Sequence, residues 1–228
     1  SIAQPTANTA ANYVLTVTKN ANGCTSSDAV LVTADTTRPG ANAGVDKTIT
    51  CSNPTHVIGS IAVAGVSYSW SPGIGLDNAA IAQPTVNANG NYTLTVTKLV
   101  NGCTSTDAVT VAVDTTKPVA NAGANVTLTC ANPTLQIGTA AITGNTYAWS
   151  PSVGLSNAAI AQPIANTTDT YTLTVTKISN GCSSTDAVTV AVDTTRPNAN
   201  AGIDKIITCT NPTQVIGTAA TTGNSYAW

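Results

Sequence analysis

The sequence repeats itself with a period of 79 residues, and this period restricts the fold more than any other feature of the chain. Tyr13, Tyr92 and Tyr171 are each one period apart, and the 27-residue string that begins at Tyr92 returns almost unchanged at Tyr171. A unit of about 80 residues suffices for one small domain with a thin core. An enzyme needs its site once, whereas a spacer or a material needs many equal units. The repeat therefore favours a structural array.

The period divides the 228 residues into two complete and two partial repeats. We predict complete repeats at 38–116 and 117–195, the C-terminal half of a repeat at 1–37 and the N-terminal half of another at 196–228. Each half would leave an apolar face and unpaired strand edges in water. We therefore expect either a longer continuous polymer or neighbouring chains whose ends complete each other by strand donation.

The segments between turn signals have the composition of β-strands, because Val, Ile, Thr and Tyr dominate them. Within 38–116 we predict strands at 41–50, 55–63, 67–70, 81–87, 92–97 and 108–113, and essentially no helix. The last two strands alternate apolar and polar residues, as half-buried antiparallel strands do. The side chains predicted to face the core are Tyr92, Leu94, Val96, Val109, Val111 and Val113.

Short strands with regularly spaced turns predict an all-β fold of tandem Ig-like seven-strand β-sandwiches stacked end to end. Trp70 and Trp149 occupy the place of the core tryptophan on the third strand. Tyr92 and Tyr171 open the strand on which a tyrosine corner would lie. For all four aromatic side chains, packing in the core is favoured over stacking on a ligand.

Charge and histidine content argue against several classes of function. Eight Lys and Arg residues against ten Asp give a net charge of −2, with no basic patch for nucleic acid. No apolar run reaches the roughly 18 residues that a membrane-spanning segment needs. His56 is the only histidine, and it aligns with Leu135 and Gln214 in the other repeats. A Ser-His-Asp triad therefore cannot recur, and we predict that the chain is not an enzyme.

Six cysteines recur in register with the repeat, which favours disulfides in an oxidising, extracellular setting. Without a Cys-x-x-Cys motif, and with one histidine, zinc is disfavoured. Cys51 follows the first predicted strand and Cys103 lies in the turn before the last, so they should be roughly 20–25 Å apart. A disulfide needs Cα atoms within about 7 Å. A short linker, DTTKP, instead brings Cys51 towards Cys182 of the next domain.

The favoured pairing is therefore Cys51 with Cys182, between consecutive domains. On the same pattern, Cys130 would pair with a Cys24-like residue of a following segment, and Cys209 with a Cys103-like one. Pairing of Cys51 with Cys103 within one domain remains the alternative, because the sequence does not fix the strand register. A disulfide between consecutive domains would restrain bending and twisting of the array.

The motif series ANAG, LTC, NPT, YSWSP, YTLTVT, NGC and DAVTVAVD resembles the PKD-like, Ig-like repeats of Bacteroidota surface proteins, including gliding-motility adhesins. The resemblance covers the whole chain and is specific to the repeat type. It implies a protein at the cell surface, in tandem arrays, that serves in attachment or scaffolding. The expected function is a structural segment of an extracellular filament or adhesin stalk whose partners are adjacent repeats or copies of itself. The alternative is an adhesive module whose inter-strand loops bind carbohydrate or protein.

The Asp-Thr-Thr triplets after the last strand of each repeat match the O-glycosylation pattern of that group. The resemblance implies glycans on Thr36, Thr115 and Thr194. The alternative is a linker turn in which the Asp side chain accepts hydrogen bonds from nearby backbone N–H groups. Calcium binding by Asp114 and its equivalents at the joints is less favoured than a solvated carboxylate, because the few carboxylates form no Asp-x-Asp-x-Asp run. We expect no other cofactor.

Overall fold

A computed structural model describes residues 4–228, and over this range the chain is all-β and without helices. Residues 1–3 of the first predicted partial repeat lie outside the described residues. The chain forms two compact units. The first runs to Thr116 and includes Asn180–Cys182, and the second comprises Lys117–Ser179 and Ser183–Trp228.

The first unit contains a hairpin and a sandwich. Strands β1 (Ala11–Thr18) and β2 (Thr25–Val32) pair as the antiparallel hairpin. The sandwich strands are β3 (Lys47–Thr50), β4 (His56–Val57), β5 (Val66–Ser71), β6 (Thr85–Val86), β7 (Gly90–Lys98) and β8 (Thr104–Asp114). One sheet has the order β3-β8-β7-β5, in which β3 and β8 run parallel, and β4 pairs with β6 in the other. The sequence predicted seven strands for a repeat, and residues 38–116 form six.

The core of the first unit lies between its two sheets. Ile58, beside β4, and Val86, on β6, face the four-stranded sheet and are essentially inaccessible to solvent. The four-stranded sheet contributes Ile49, Trp70, Tyr92, Leu94, Val96, Val109 and Val111. The alternation predicted for β7 and most of β8 is therefore the alternation of a sheet that covers a core on one face.

The predicted aromatic core residues are buried in both units, and their polar atoms are paired. Trp70 is 3% exposed, and its indole N–H donates to the Ile81 carbonyl at 3.0 Å. Tyr92 is 1% exposed, and its hydroxyl donates to the carbonyls of Ile74 and Ala88 at 3.1 and 3.2 Å. The tyrosine-to-backbone bond four residues upstream is that of a tyrosine corner, and it supports the Ig-like reading of the sandwich.

The second unit contains a sandwich of the same design. Its strands are β9 (Val126–Thr129), β10 (Leu135–Gln136), β11 (Asn145–Ser150), β12 (Ile164–Ala165), β13 (Asp169–Lys177) and β14 (Ser183–Asp193). The sheets have the orders β11-β13-β14-β9 and β10-β12. Trp149 and Tyr171 are buried in its core. Trp149 donates to Ile160, and Tyr171 donates to Val153.

Two of the predicted strands are much shorter in the structure. The strand predicted at 55–63 ends after His56–Val57, and that predicted at 41–50 is confined to Lys47–Thr50. Gly59 explains the first difference, because its φ of +85° is left-handed and its N–H turns to the Ala43 carbonyl at 2.8 Å. An added Cβ there would lie 2.0 Å from the Ala82 carbonyl oxygen, so the close approach requires glycine.

The inward orientation predicted for Val113 is wrong, since this side chain is 47% exposed while Val111 is 2% exposed. Strand β7 begins at Gly90, opposite Val111, and therefore does not flank β8 at Val113. There β8 pairs only with β3. The end of β8 extends beyond the core, and the alternation of apolar and polar residues continues there although the apolar side chain is not buried.

The two predicted partial repeats expose residues that the complete repeats bury. Trp228 is 79% exposed, although its equivalents Trp70 and Trp149 are 3% and 4% exposed. On β1, Leu15 is 57% exposed, whereas its equivalent Leu94 is 1% exposed. Over residues 196–228 the structure records a single isolated bridge, between Thr208 and Asn211.

Candidate structural site around the Asp-Thr-Thr segments

Two Asp-Thr-Thr segments and three Asn-Gly-Cys turns lie within the first unit, and two of these turns bind such a segment. The segments are 35–37 and 114–116. We call Asn101–Cys103 the open turn and Asn180–Cys182 the covered turn. The third element is the Cys51 turn, residues 50–53, which begins at the last residue of β3. Together these elements form the candidate site.

The open turn binds the Asp-Thr-Thr segment at 35–37. The Asn101 side-chain amide donates to the carbonyl oxygens of Thr37 at 3.0 Å and Asp35 at 3.3 Å. The Lys98 ammonium donates to the Asp35 carboxylate at 3.2 Å and to the Thr37 hydroxyl at 3.0 Å. A side chain on β7 and one in the turn after it therefore fix the residues that follow β2.

The Asp35 carboxylate is the most strongly perturbed acid of this site. The Thr37 hydroxyl and the Thr37 backbone N–H donate to it, the latter at 3.0 Å, and Lys98 adds a positive charge. These interactions hold the pKa of Asp35 well below its ordinary value.

The covered turn binds residues 114–116 in nearly the same way. The Asn180 side-chain amide donates to the Thr116 carbonyl at 2.9 Å and to the Asp114 carboxylate at 3.0 Å. Its side-chain oxygen accepts the N–H of Cys182 at 3.0 Å. Every polar group of this asparagine side chain therefore has a partner, which explains why a residue only 1% exposed is polar.

The Cys51 turn packs on the covered turn and is bonded to it. Cys51 and Cys182 form a disulfide with a Cα–Cα distance of 5.0 Å across 131 positions of sequence. Next to this bond, the Ser52 N–H and hydroxyl both donate to the Asn180 carbonyl, at 3.2 and 3.4 Å. This pairing is the one that the sequence favoured. The alternative pairing with Cys103 does not form, since the Cys103 thiol is free.

The open turn and the covered turn differ in their exposure to solvent. Asn180 and Cys182 are 1% and 0% exposed, whereas Asn101 and Cys103 are half-buried. A Cβ added at Gly181 would lie 2.7 Å from the Ser52 Cβ, but one added at Gly102 would meet nothing within 4 Å. The covered turn is therefore less exposed because the Cys51 turn packs on it.

The remaining cysteines are unbonded within residues 4–228. Cys24, Cys130 and Cys209 are exposed, and Cys103 is half-buried. The Cys130 thiol lies 3.9 Å from the Thr194 carbonyl oxygen. The pairing of these four with neighbouring segments stays a prediction.

The central threonine of each Asp-Thr-Thr triplet is exposed, and the backbone N–H group of the last threonine is hydrogen-bonded. Backbone N–H groups of Thr37, Thr116 and Thr195 donate to the Asp two positions before each of them, at 3.0, 3.1 and 3.1 Å. This geometry is that of the linker turn named as the alternative to glycosylation. It also leaves accessible the three threonines for which the resemblance implied glycans, Thr36, Thr115 and Thr194.

The described residues give no metal site at these joints. Among residues 4–228 no three His, Cys, Asp or Glu side chains come together in a way that could bind a metal ion. His56 lies at β4, where its Nε2 is 2.8 Å from the Thr48 carbonyl oxygen. None of the described residues forms a helix long and apolar enough to cross a membrane.

The first unit has a groove of about 750 Å³, which is relevant to the alternative prediction that the loops bind carbohydrate or protein. It is lined in part by Arg38, Tyr68 and Lys98. The Tyr68 hydroxyl already accepts the Val63 N–H at 2.6 Å, and Lys98 is paired with Asp35. Binding of carbohydrate or protein by the loops stays a prediction.

Sequence reasoning missed two carboxylates that fix the chain entering each sandwich. Asp107 accepts the Ala43 N–H at 2.8 Å, and Asp186 accepts the Ala122 N–H at 2.7 Å. Both belong to the Ser-Thr-Asp-Ala string and are one period apart. Their recurrence in register was the signal that could have identified them, as it was for Asn101 and Asn180.

Comparisons with known proteins found matches among solved structures only. No family model matches the chain, and no curated protein matches it. Among solved structures, a titin I-band fragment (I67–I69) is 12% identical over 81% of this chain and 75% of that one, with a TM-score of 0.34. Protocadherin Gamma B7 domains 1–4 are 13% identical over 83% and 59%, with a TM-score of 0.38. Drosophila N-cadherin EC1–4 is 11% identical over 81% and 58%, with a TM-score of 0.36.

Proposed function

We propose that this chain is a non-catalytic, structural segment of an extracellular bacterial filament or adhesin stalk, built from repeats bounded at 38–116 and 117–195. The observation that carries the proposal is the recurrent site around the Asp-Thr-Thr segments. In two successive positions an Asn-Gly-Cys turn binds the Asp-Thr-Thr segment that precedes its own repeat. In one of them a disulfide joins that turn to the preceding repeat.

The disulfide is placed to bear tension. It connects positions 51 and 182, so a pull on the two ends of the chain cannot extend the 131 residue steps between them until the bond breaks. At about 3.5 Å per extended residue, the protected length is roughly 460 Å. Unfolding of the residues between the two cysteines would then not lengthen the filament, which suits a fibre exposed to shear.

Pulling single molecules by their ends tests this function. With the disulfide intact, we expect the fully stretched chain to be shorter by roughly 460 Å than after reduction. The Cys51→Ala/Cys182→Ala variant should show the longer length with or without reductant. The Cys103→Ala variant, which keeps the bond, should behave like the unmodified chain. Equal lengths in the oxidised and reduced chains would refute a load-bearing role.

Glycosylation of the linkers belongs to the same proposal. O-linked glycans would be carried by the exposed residues Thr36, Thr115 and Thr194. They would be absent from Thr37, Thr116 and Thr195, whose backbone N–H groups are bonded to the Asp of the same triplet. Peptide masses from protein secreted by its native host test this. Glycan mass on the central threonine of the triplet supports the proposal, and unmodified triplets refute it.

A further inference from the structure

The open turn has the same receiving geometry as the covered turn. The Cys103 N–H donates to the Asn101 side-chain oxygen at 3.0 Å, as the Cys182 N–H does to Asn180. Both turns bind the carbonyl of the last threonine of an Asp-Thr-Thr segment, at 3.0 and 2.9 Å. Only the covered turn has a cysteine turn packed on it. The open turn therefore has the form of a docking site without its occupant.

The occupant of the covered turn shows what the open turn would accept. In the Cys51 turn, Thr50 and Asn53 exchange two hydrogen bonds of 3.0 Å, one from each backbone N–H. The Ser52 hydroxyl lies 3.1 Å from that of Thr50 and donates to the Asn180 carbonyl at 3.4 Å. A fitting partner thus has a cysteine, a hydroxyl residue directly after it, and this closed turn.

The turn around Cys209 has all of these features. Its flanking residues Thr208 and Asn211 exchange hydrogen bonds of 3.1 Å, and the hydroxyls of Thr208 and Thr210 lie 3.2 Å apart. The turn around Cys130 has the bonds between Thr129 and Asn132 but carries Ala131 in place of the hydroxyl residue. The Cys209 turn is therefore the better match.

We infer that the open turn of one molecule binds the Cys209 turn of a second copy of this chain, with a disulfide between Cys103 and Cys209. Both thiols are free, and the space over Gly102 is open. Two successive thiol–disulfide exchanges with an oxidised low-molecular-weight disulfide, such as glutathione disulfide, form the bond. The two cysteine thiols lose two protons and two electrons, and the oxidant is released as two thiols. The inference rests on the proposed function and assigns its partner.

The test uses two variants of this 228-residue chain that both lack Cys24 and Cys130 through substitution by alanine. One also carries Cys209→Ala and so presents only Cys103, and the other carries Cys103→Ala and presents only Cys209. They are mixed at equal concentration in a glutathione redox buffer and analysed by intact mass and peptide mapping. We expect a 1:1 covalent dimer linked through Cys103 and Cys209, in large excess over the homodimers of either protein.

Glycine substitutions supply the matched control. Gly102→Ala places a methyl group where the partner turn would lie, and we expect about tenfold less heterodimer. Gly23→Ala introduces the same kind of substitution at a similar φ in the turn whose cysteine has been removed, and should leave the yield unchanged.

Homodimers equal in yield to heterodimers, or an unaffected Gly102→Ala protein, would overturn the inference. The same peptide maps report Cys51–Cys182. Its absence would count against the proposed function, and its presence without a Cys103–Cys209 bond against this inference alone.

Discussion

The backbone N–H of Ser52 donates a hydrogen bond to the carbonyl oxygen of Asn180 at 3.2 Å, across 128 positions of sequence. This contact lies beside the disulfide between Cys51 and Cys182, so the two turns are connected by a backbone hydrogen bond as well as by the covalent bond. Asn180 in turn binds Thr116. The disulfide therefore lies between two turns that also contact each other through hydrogen bonds.

Removal of this disulfide should lower the stability of the protein substantially. The Cys51→Ala/Cys182→Ala variant loses a cross-link that closes a long loop, and the loss of such a bond costs about 2–4 kcal/mol. The free energy of unfolding from guanidinium titrations, with fluorescence of the buried Trp70 and Trp149 as the signal, measures the effect. Cys103→Ala is the control because its thiol is already free, and its midpoint should stay where it is. Equal midpoints for both variants would contradict a stabilising role.

A methyl group at Gly181 should disrupt the joint, while one at Gly102 should not. Both glycines have φ of +69°, so alanine is equally strained at the two positions. Only at Gly181 does the new Cβ approach Ser52, at 2.7 Å. We expect Gly181→Ala to destabilise the chain by about 1–3 kcal/mol more than Gly102→Ala does. Thermal unfolding of the two variants in parallel measures this difference, and identical transitions would show that the packing contributes nothing.

Much of the fold could be predicted because apolar and polar residues alternate regularly along the strands. The alternation in 92–97 places Tyr92, Leu94 and Val96 in the core, where the structure has them. The pairing of Cys51 with Cys182 was favoured on a different argument, namely that Cys51 and Cys103 would lie a strand length apart, while the short linker brings Cys51 towards Cys182. Both predictions depend on distances that strand geometry fixes, independent of the details of packing.

The remainder could not be predicted because it depends on contacts between distant segments. The strand expected at 55–63 is cut short at Gly59, where the chain approaches Ala82, and a local pattern does not report this approach. Likewise the N–H of Ala43 finds its acceptor on Asp107, 64 positions away. The exposure of Val113 depends on where β7 begins, since alternation continues past the edge of a core.

The hydroxyl of Tyr92 should contribute measurably to stability, unlike that of its counterpart Tyr13. Tyr92 is buried and donates to the Ile74 carbonyl at 3.1 Å, so Tyr92→Phe removes a bond that water does not replace. We expect a loss of about 0.5–1.5 kcal/mol. Tyr13 is half-buried, and the acceptor of its hydroxyl, the exposed Thr9 carbonyl, can bind water after Tyr13→Phe. Hydrogen exchange of the β7 amides is the measurement, and equal protection in the two variants would argue against a tyrosine corner.

The stability of the sandwich should fall only in acid, because the perturbed carboxylates titrate there. The N–H of Thr85 donates to Asp77 at 2.8 Å and lowers the pKa of this carboxyl group, and the Thr195 hydroxyl lowers that of Asp193. A lowered pKa in the folded state means that the stabilisation is complete above the unfolded value, about 3.9, and is lost as the pH falls through the folded value. We therefore expect a constant melting temperature from pH 9 to about 5 and a decline below about 4.

The second sandwich supplies the control for this acid dependence, since the position equivalent to Asp77 is Ser156. The Ser156 hydroxyl accepts the Ile164 N–H at 3.0 Å, so the bond is made there without a titrating group. Asp77→Ser should keep the bond and flatten the decline in melting temperature below pH 4, whereas Ser156→Asp should steepen it. Calorimetric scans at several pH values measure both slopes. A slope that neither substitution changes would show that the acid sensitivity arises from other carboxylates.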